Sequence, residues 1–209
     1  MKITVVGTGN MGSAFAKQLS GAGHVVRITG RDIQKAQALA AQFEQVTAFT
    51  ADQALGDSDV VVLATAYADA VTALQSLGDL SGKVVIDITN PLSADYMSLT
   101  IGHVTSASEE IAKAVPQAQI VKAFNTLFAQ VLGDGPTFAN DQRGSVFVAS
   151  DSERAKQTAV ALARSLGWNT VDTGALINAR YLEPLAGLNI YLGYGAGLGT
   201  SIAPVWLSK

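Results

Sequence analysis

The hexapeptide Gly7-Thr8-Gly9-Asn10-Met11-Gly12 directly follows the apolar run Ile3-Thr4-Val5-Val6. A short β-branched strand ends, glycines take the turn, and a helix starts at about Asn10, which is the context that a dinucleotide-binding loop requires. Gly7 permits the tight turn, Gly9 lets the backbone approach a pyrophosphate, and Gly12 lets the helix pack closely on the strand. Free N–H groups and the positive end of the helix dipole then face the anion. The amphipathic stretch at 13–21 that follows supplies the helix.

The alternation continues almost to the end of the chain. Strands are expected at 2–6, 25–29, 60–64, 84–88, 120–123, 146–149 and 168–172, with a short one near 46–49. Helices are expected at 10–21, 32–43, 50–55, 68–77, 106–114, 152–166 and 178–194. This pattern implies an α/β fold: a doubly wound, mostly parallel, Rossmann-type sheet with a C-terminal helical extension. Near-continuous Val/Ile strands fit burial on both faces of such a sheet. Asp32 suits the cap of the second helix, and Asp151 or Ser152 that of the penultimate one. The expected organisation is a dinucleotide-binding domain over 1–176, with a helix and tail over 177–209 packing on it or on a second subunit.

Composition narrows the chemistry. A net charge of −3 and no basic cluster interleaved with aromatics argue against nucleic acid. There is no cysteine, hence no disulfide, thiolate nucleophile or zinc–cysteine site, and only two histidines, His24 and His103, so a multi-histidine metal site is excluded. The first strand begins at once, with no signal peptide ahead of it, which suggests a cytoplasmic protein. No residue from Pro184 to Ser208 is charged, but five glycines and Pro204 interrupt the stretch. Its helix-compatible part, 185–194, is too short to span a membrane. A solvent-facing helix would normally show charge, so a subunit interface, and with it a homodimer, is expected here.

The end of the second strand chooses between NAD and NADP. It reads Ile28-Thr29-Gly30-Arg31-Asp32, with Lys35 one helical turn on. Arg31 can fork onto a 2′-phosphate or stack on adenine, and Thr29 can donate a hydroxyl. Asp32 lies about where an NAD-selecting acid is counted, but it follows the glycine turn and reads as a helix cap. NADP is therefore preferred. In a doubly wound sheet, ligands sit outside the carboxyl ends of the strands. Candidates there are Ala64, Thr65, Ala66 and Tyr67 after the fourth strand, Thr89, Asn90 and Pro91 after the fifth, and Ala123, Phe124 and Asn125 after the sixth.

Hydride transfer needs mainly geometry, with donor and acceptor rings stacked in a dry site. Carbonyl reduction would usually call for a positioned proton donor. His24 precedes the second strand and reads as structural, His103 lies in a loop, and Lys122 reads as snorkelling or paired. No catalytic dyad or triad spacing appears, so no catalytic residue is assigned.

With these segments assembled, the chain resembles the NADPH-dependent coenzyme F-420 (deazaflavin) oxidoreductases and the related reductase domain of the STEAP metalloreductases. The resemblance rests on Gly7 to Gly12, Thr29-Gly30-Arg31, Asn90-Pro91-Leu92, Lys122-Ala123-Phe124-Asn125-Thr126, and Asp172-Thr173-Gly174-Ala175-Leu176 followed by Asn178-Ala179-Arg180. It implies NADPH passing hydride to a flavin or deazaflavin over the sheet edge, with FMN, FAD or coenzyme F-420 as acceptor. It also implies Phe124-Asn125 near the nicotinamide and a C-terminal helix that helps form a dimer. Where the deazaflavin enzymes usually read a His-Thr-Ile-Pro-like stretch, this chain reads Asn125-Thr126-Leu127-Phe128. Reduction of a small imine or carbonyl compound, or NADP sensing without turnover, are the alternatives.

Overall fold

The computed structural model describes residues 1–207; Ser208 and Lys209, which belong to the expected C-terminal extension, lie outside the described residues. Six parallel strands, β1 (Lys2–Val6), β2 (Val25–Thr29), β3 (Val46–Ala48), β4 (Val60–Leu63), β5 (Val84–Asp87) and β6 (Gln119–Lys122), form one sheet in the order β3-β2-β1-β4-β5-β6. The direction in which strands are added reverses between β1 and β4, and such a switch point opens a crevice at the carboxyl edge.

The Val/Ile runs explain the sheet. Alternate residues of β4 and β5 face opposite layers: Val60, Val62, Val84 and Ile86 join Phe15, Leu19 and Leu162 on one side. Val61, Leu63 and Val85 join Leu74, Leu80 and Ile111 on the other. Both faces of the central strands are therefore buried, as period-two geometry and helices on both sides require.

The helices are α1 (Asn10–Gly21), α2 (Ile33–Ala40), α3 (Ala51–Ala54), α4 (Ala70–Gln75), α5 (Ala107–Ala114), α6 (Ala129–Asp134), α7 (Glu153–Ser165) and α8 (Ala179–Ile190). Asp32 caps α2 by accepting from the Gln34 and Lys35 N–H groups, which makes it the cap that its place after the glycine turn implies. Ser106 and Ser152 cap α5 and α7 in the same way. By contrast, α1 starts at Gly9 with no side-chain cap.

Three expectations need correction. The last two strands, β7 (Ser145–Val148) and β8 (Asn169–Asp172), do not extend the main sheet but form a parallel pair of their own. One antiparallel bridge, Lys122 with Ala149, joins that pair to β6. Helix α6 is absent from the expected elements, because its six residues end in Gly133-Asp134 and offer too short a pattern. The final helix stops at Ile190 and widens into a π-helical turn over Tyr191–Gly195, where two glycines weaken the α-helical ladder. Other boundaries move by a few residues at helix ends, where fraying and 3₁₀ turns are usual. Among the described residues, no helix is long and apolar enough to cross a membrane.

Two glycines are dictated by backbone contact. Gly7 has φ +127°, and a Cβ there would lie 2.2 Å from the Ala64 carbonyl oxygen; a Cβ on Gly12 would lie 1.9 Å from the Gly7 carbonyl oxygen. Gly12→Ala forces backbone apart and is expected to destabilise the fold by about 3 kcal/mol, the upper end of what overpacking usually costs, read as a lower midpoint in urea unfolding.

Candidate functional site

A cleft of about 900 Å³ runs along the carboxyl edge of the sheet. Gly9, Asn10 and Met11 form one end, Ala64 to Tyr67 and Thr89-Asn90 the floor, and Asn125 with Thr126 the far wall. Space lies open above Gly9, with nothing within 4 Å of where a Cβ would stand, so backbone can be approached there. The uncapped N-terminus of α1 meets the same end of the cleft, and its orphan N–H groups suit an anion.

The segment after β2 forms a separate corner. Thr29 is buried, and Gly30 sits against Thr8, whose methyl lies 3.0 Å from where a Gly30 Cβ would be. The Arg31 side chain is 90% exposed and pairs loosely with Asp69 at 3.7 Å. Such a surface pair holds Arg31 weakly, leaving its guanidinium free to turn. Lys35 stands in the first turn of α2, its N–H on Asp32.

Buried polar side-chain atoms almost always have partners. Here the Thr29, Thr65, Thr89 and Thr126 hydroxyls and Asn125 Oδ1 have none. All five stand at or just beyond the carboxyl ends of β2, β4, β5 and β6, on the edge where a dinucleotide would supply phosphate, ribose and carboxamide groups. The set fits a polar ligand along this edge.

The structure brings most of the sequence candidates to this edge but gives some a different task. Ala123 and Phe124 are fully buried and do not line the cleft. The Phe124 ring packs edge-on against Phe15, centroids 5.2 Å apart. Its backbone has φ 60°, an uncommon conformation for a bulky residue. That turn swings the chain out of β6 so that Asn125, Thr126 and Leu127 run along the cleft. Gly7 and Gly12 shape the loop from behind. Pro91 holds the start of the next loop, its carbonyl accepting from the Thr100 N–H at 2.7 Å.

Sequence reasoning missed two walls. One is the loop at 92–97, where Asp95 accepts from the Ser93 hydroxyl and the Met97 N–H, contacts that hold its carboxyl below the ordinary value. The other is α8, which contributes Ala186, Asn189 and Ile190. Beyond Leu92 and Ala179-Arg180, where two of the motifs end, neither segment carries a recognisable motif. Tyr67 lines the cleft as a neutral phenol, its pKa raised by burial and by Glu110, Glu183 and Asp87. Trp206 packs on Phe147, away from the cleft. His24 bridges the N-terminal amine and Ser165, a structural role.

Beneath the floor lies a buried ion cluster. Lys122 Nζ sits 2.8 Å from Asp87 Oδ2 and 2.9 Å from Glu183 Oε1, all three side chains within 1% of complete burial. It also donates to the Thr89 carbonyl at 2.7 Å. Burial disfavours the ammonium, but attraction to both carboxylates outweighs it and raises the Lys122 pKa. Glu183 accepts from the Ala107 and Ser108 N–H groups at the start of α5, and Asp87 from the Ser108 hydroxyl at 2.5 Å. The positive end of that helix thus offsets the excess negative charge.

Sheet order, glycine loop and cleft define a dinucleotide-dependent oxidoreductase, and comparison with known proteins agrees. A family model described as NADP oxidoreductase, coenzyme F420-dependent, matches residues 2–91. A crystal structure of a candidate F420-dependent NADP-reductase from Arthrobacter sp. FB24 is 30% identical, covers 96% of both chains and gives a TM-score of 0.86. Metalloreductase STEAP3 of Rattus norvegicus is 30% identical over 88% of this chain, which spans 36% of that protein. An imine reductase from Pseudomonas sp. shares the fold at 23% identity, over 93% of this chain and 62% of its own, with a TM-score of 0.65. The chain belongs to the family of F420-dependent NADP oxidoreductases, and NADP is the dinucleotide of that family.

Glu183→Ala would leave Lys122 short of one counter-ion and two N–H groups without an acceptor. Breaking a buried pair in this way should cost about 3–5 kcal/mol, measured as a shift in the urea unfolding midpoint at unchanged slope.

Proposed function

We propose that the chain binds NADPH along the carboxyl edge of the sheet and passes hydride to a planar ring acceptor of the flavin or deazaflavin class. In this reading Gly9, Asn10 and Met11 hold the pyrophosphate against the start of α1. Thr8, Thr29, Gly30, Arg31 and Lys35 take the adenosine 2′-phosphate. Ala64 to Tyr67 flank the ribose, and Thr89, Asn90 and Asn125 receive the nicotinamide end. Bound NADPH would supply a hydride, and solvent the accompanying proton.

The observation that carries the acceptor class is the cleft wall itself. Among the described residues it contains no lysine, arginine, histidine or glutamate. Its titratable members are Tyr67, Asp95, Tyr96 and Tyr194. Of these, Tyr67 is held neutral and Asp95 is held ionised. Ile88, Leu92, Met97, Leu127 and Phe128 give it apolar surface. Such a wall can orient planar rings, and its proton donors are weakly acidic phenols rather than a lysine or histidine, which suits a conjugated ring better than a carbonyl. The loop at 92–97 and the end of α8 frame the space where that ring would lie.

Anaerobic oxidation of NADPH followed with FMN, FAD, coenzyme F-420 and a cyclic imine in parallel tests the class. Oxidation with at least one of the three ring acceptors, and none with the imine, is expected; the reverse pattern would replace this reading by imine reduction. Saturable NADPH binding without any oxidation would favour an NADP sensor. Arg31→Ala should weaken NADPH about tenfold or more and NADH by no more than about twofold, since only the former offers a phosphate. Equal losses would remove Arg31 from the 2′-phosphate corner.

The outer face of α8 and the turn after it is apolar and open, with Tyr181 75%, Leu188 55% and Tyr191 52% exposed. We infer that a second copy of the chain covers this face. Sedimentation at micromolar concentration should give a dimer, and Leu188→Glu should convert it to monomer.

A further inference from the structure

Lys122 takes no part in the glycine loop or the phosphate corner, yet it carries its charge beneath the cleft at 0% exposure. A buried ion cluster is weak evidence for stability, because well-packed apolar residues commonly do as well. What the cluster does here is grip particular atoms. Lys122 Nζ holds the Thr89 carbonyl, and Asp87 Oδ1 accepts from the Thr89 N–H at 2.8 Å. One cleft residue is thus clamped at both ends of its own backbone, and its hydroxyl is among those left without a partner.

The same cluster reaches the opposite wall. Glu183 belongs to α8, the helix that supplies Ala186, Asn189 and Ile190 to the cleft. Two further ties run in parallel with it. Asn125 Nδ2 donates to the Leu182 carbonyl at 2.9 Å, and Asn189 Nδ2 to the Thr126 carbonyl at 3.1 Å. Asn90 and Asn125 are also bonded reciprocally, Asn90 Nδ2 to the Asn125 carbonyl and Asn125 Nδ2 to Asn90 Oδ1. Floor and wall are therefore joined by polar contacts of fixed direction, with the lysine at the root. Apolar packing would fill the same volume but would not fix these directions.

We propose that Lys122 is a positioning residue: with Asp87 and Glu183 it fixes the Thr89 floor and helix α8 relative to each other, and so sets the approach of the nicotinamide to the acceptor ring. This rests on the reading of the cleft as an NADPH site. Lys122 touches neither ring. It acts through Thr89 on one side and Glu183 on the other, while the phosphates are held by the ends of β1 and β2. Loss of the ammonium should leave dinucleotide affinity largely intact and impair the hydride step.

The test compares wild type with Lys122→Met and with the double variant Lys122→Met/Glu183→Gln, which keeps the cluster at the single net negative charge of wild type, on Asp87, and so guards against simple misfolding. NADPH affinity is measured by calorimetric titration, and kcat with the best ring acceptor. The double variant should bind NADPH within about threefold of wild type, while kcat falls about tenfold to a hundredfold, the scale of a small misplacement of reacting groups. With NADPH deuterated at the transferred position, the isotope effect on kcat should rise. Fluorescence of bound NADPH should drop towards that of free NADPH, a readout that needs no acceptor. Wild-type kcat and fluorescence in the variants, or equal losses of affinity and kcat, would overturn the proposal. If wild type binds NADPH but reduces no acceptor, the acceptor class fails alone and the fluorescence comparison decides the role of Lys122. If wild type does not bind NADPH, both fail.

Discussion

The architecture depends on a close approach of bare backbone at the mouth of the first loop. Gly7 lies against the carbonyl of Ala64, and Gly12 against the carbonyl of Gly7. Side chains at either place would push β1, β4 and α1 apart. With none there, the start of α1 tucks between the ends of two central strands, and its unsatisfied N–H groups face the crevice where the strand order reverses. The position of the cleft, the direction of the helix dipole and the packing of Phe15 and Leu19 on the sheet all follow from that contact. The glycines thus serve packing as much as any ligand, and Gly9 alone of the three has open space above it.

Charge does for the far half of the cleft what backbone contact does for the near half. The carboxyl ends of β5 and β6 carry Asp87 and Lys122 as register partners, so sheet pairing itself brings the two charges together. Glu183 and the start of α5 complete the balance. Lys122 and Asp87 balance each other, Glu183 adds a second carboxylate on the ammonium, and the N–H groups at the start of α5 answer that extra charge. The C-terminal helix is consequently part of the same electrostatic unit as the sheet.

Most of this is legible in the sequence because it follows from short-range rules. Val/Ile runs of four or five residues mark the parallel strands, and Asp32, Ser106 and Ser152 mark helix starts by local hydrogen bonds. The family too is readable, since its motifs lie at strand ends in order. What resists reading depends on contacts distant in sequence. The residues around Lys122 leave it open between snorkelling and pairing, and only the meeting of β5, β6 and α8 shows which partners it takes. Phe124 is expected beside the nicotinamide, but its ring turns inward to Phe15 and its backbone redirects the chain instead. The strands β7 and β8 look like those of the main sheet because their residues have the same β-branched character; nothing local says that they stand apart. The loop at 92–97 has no periodicity at all, so its place over the cleft is a tertiary fact.

The detachment of β7 and β8 has a consequence for how copies of this chain can meet. One flank of the main sheet, β6, is engaged by the antiparallel bridge between Lys122 and Ala149 and by the Ser150 hydroxyl on the Ile120 carbonyl. The other flank, β3, is only three residues long. A flank so short offers little unpaired main chain for a neighbour to extend, which is the usual route to runaway strand addition. Strand-to-strand growth is thereby blunted at both sides of the sheet, and a pairing of two copies, as proposed above, would fall to side chains, whose shape can be selective where a backbone ladder cannot.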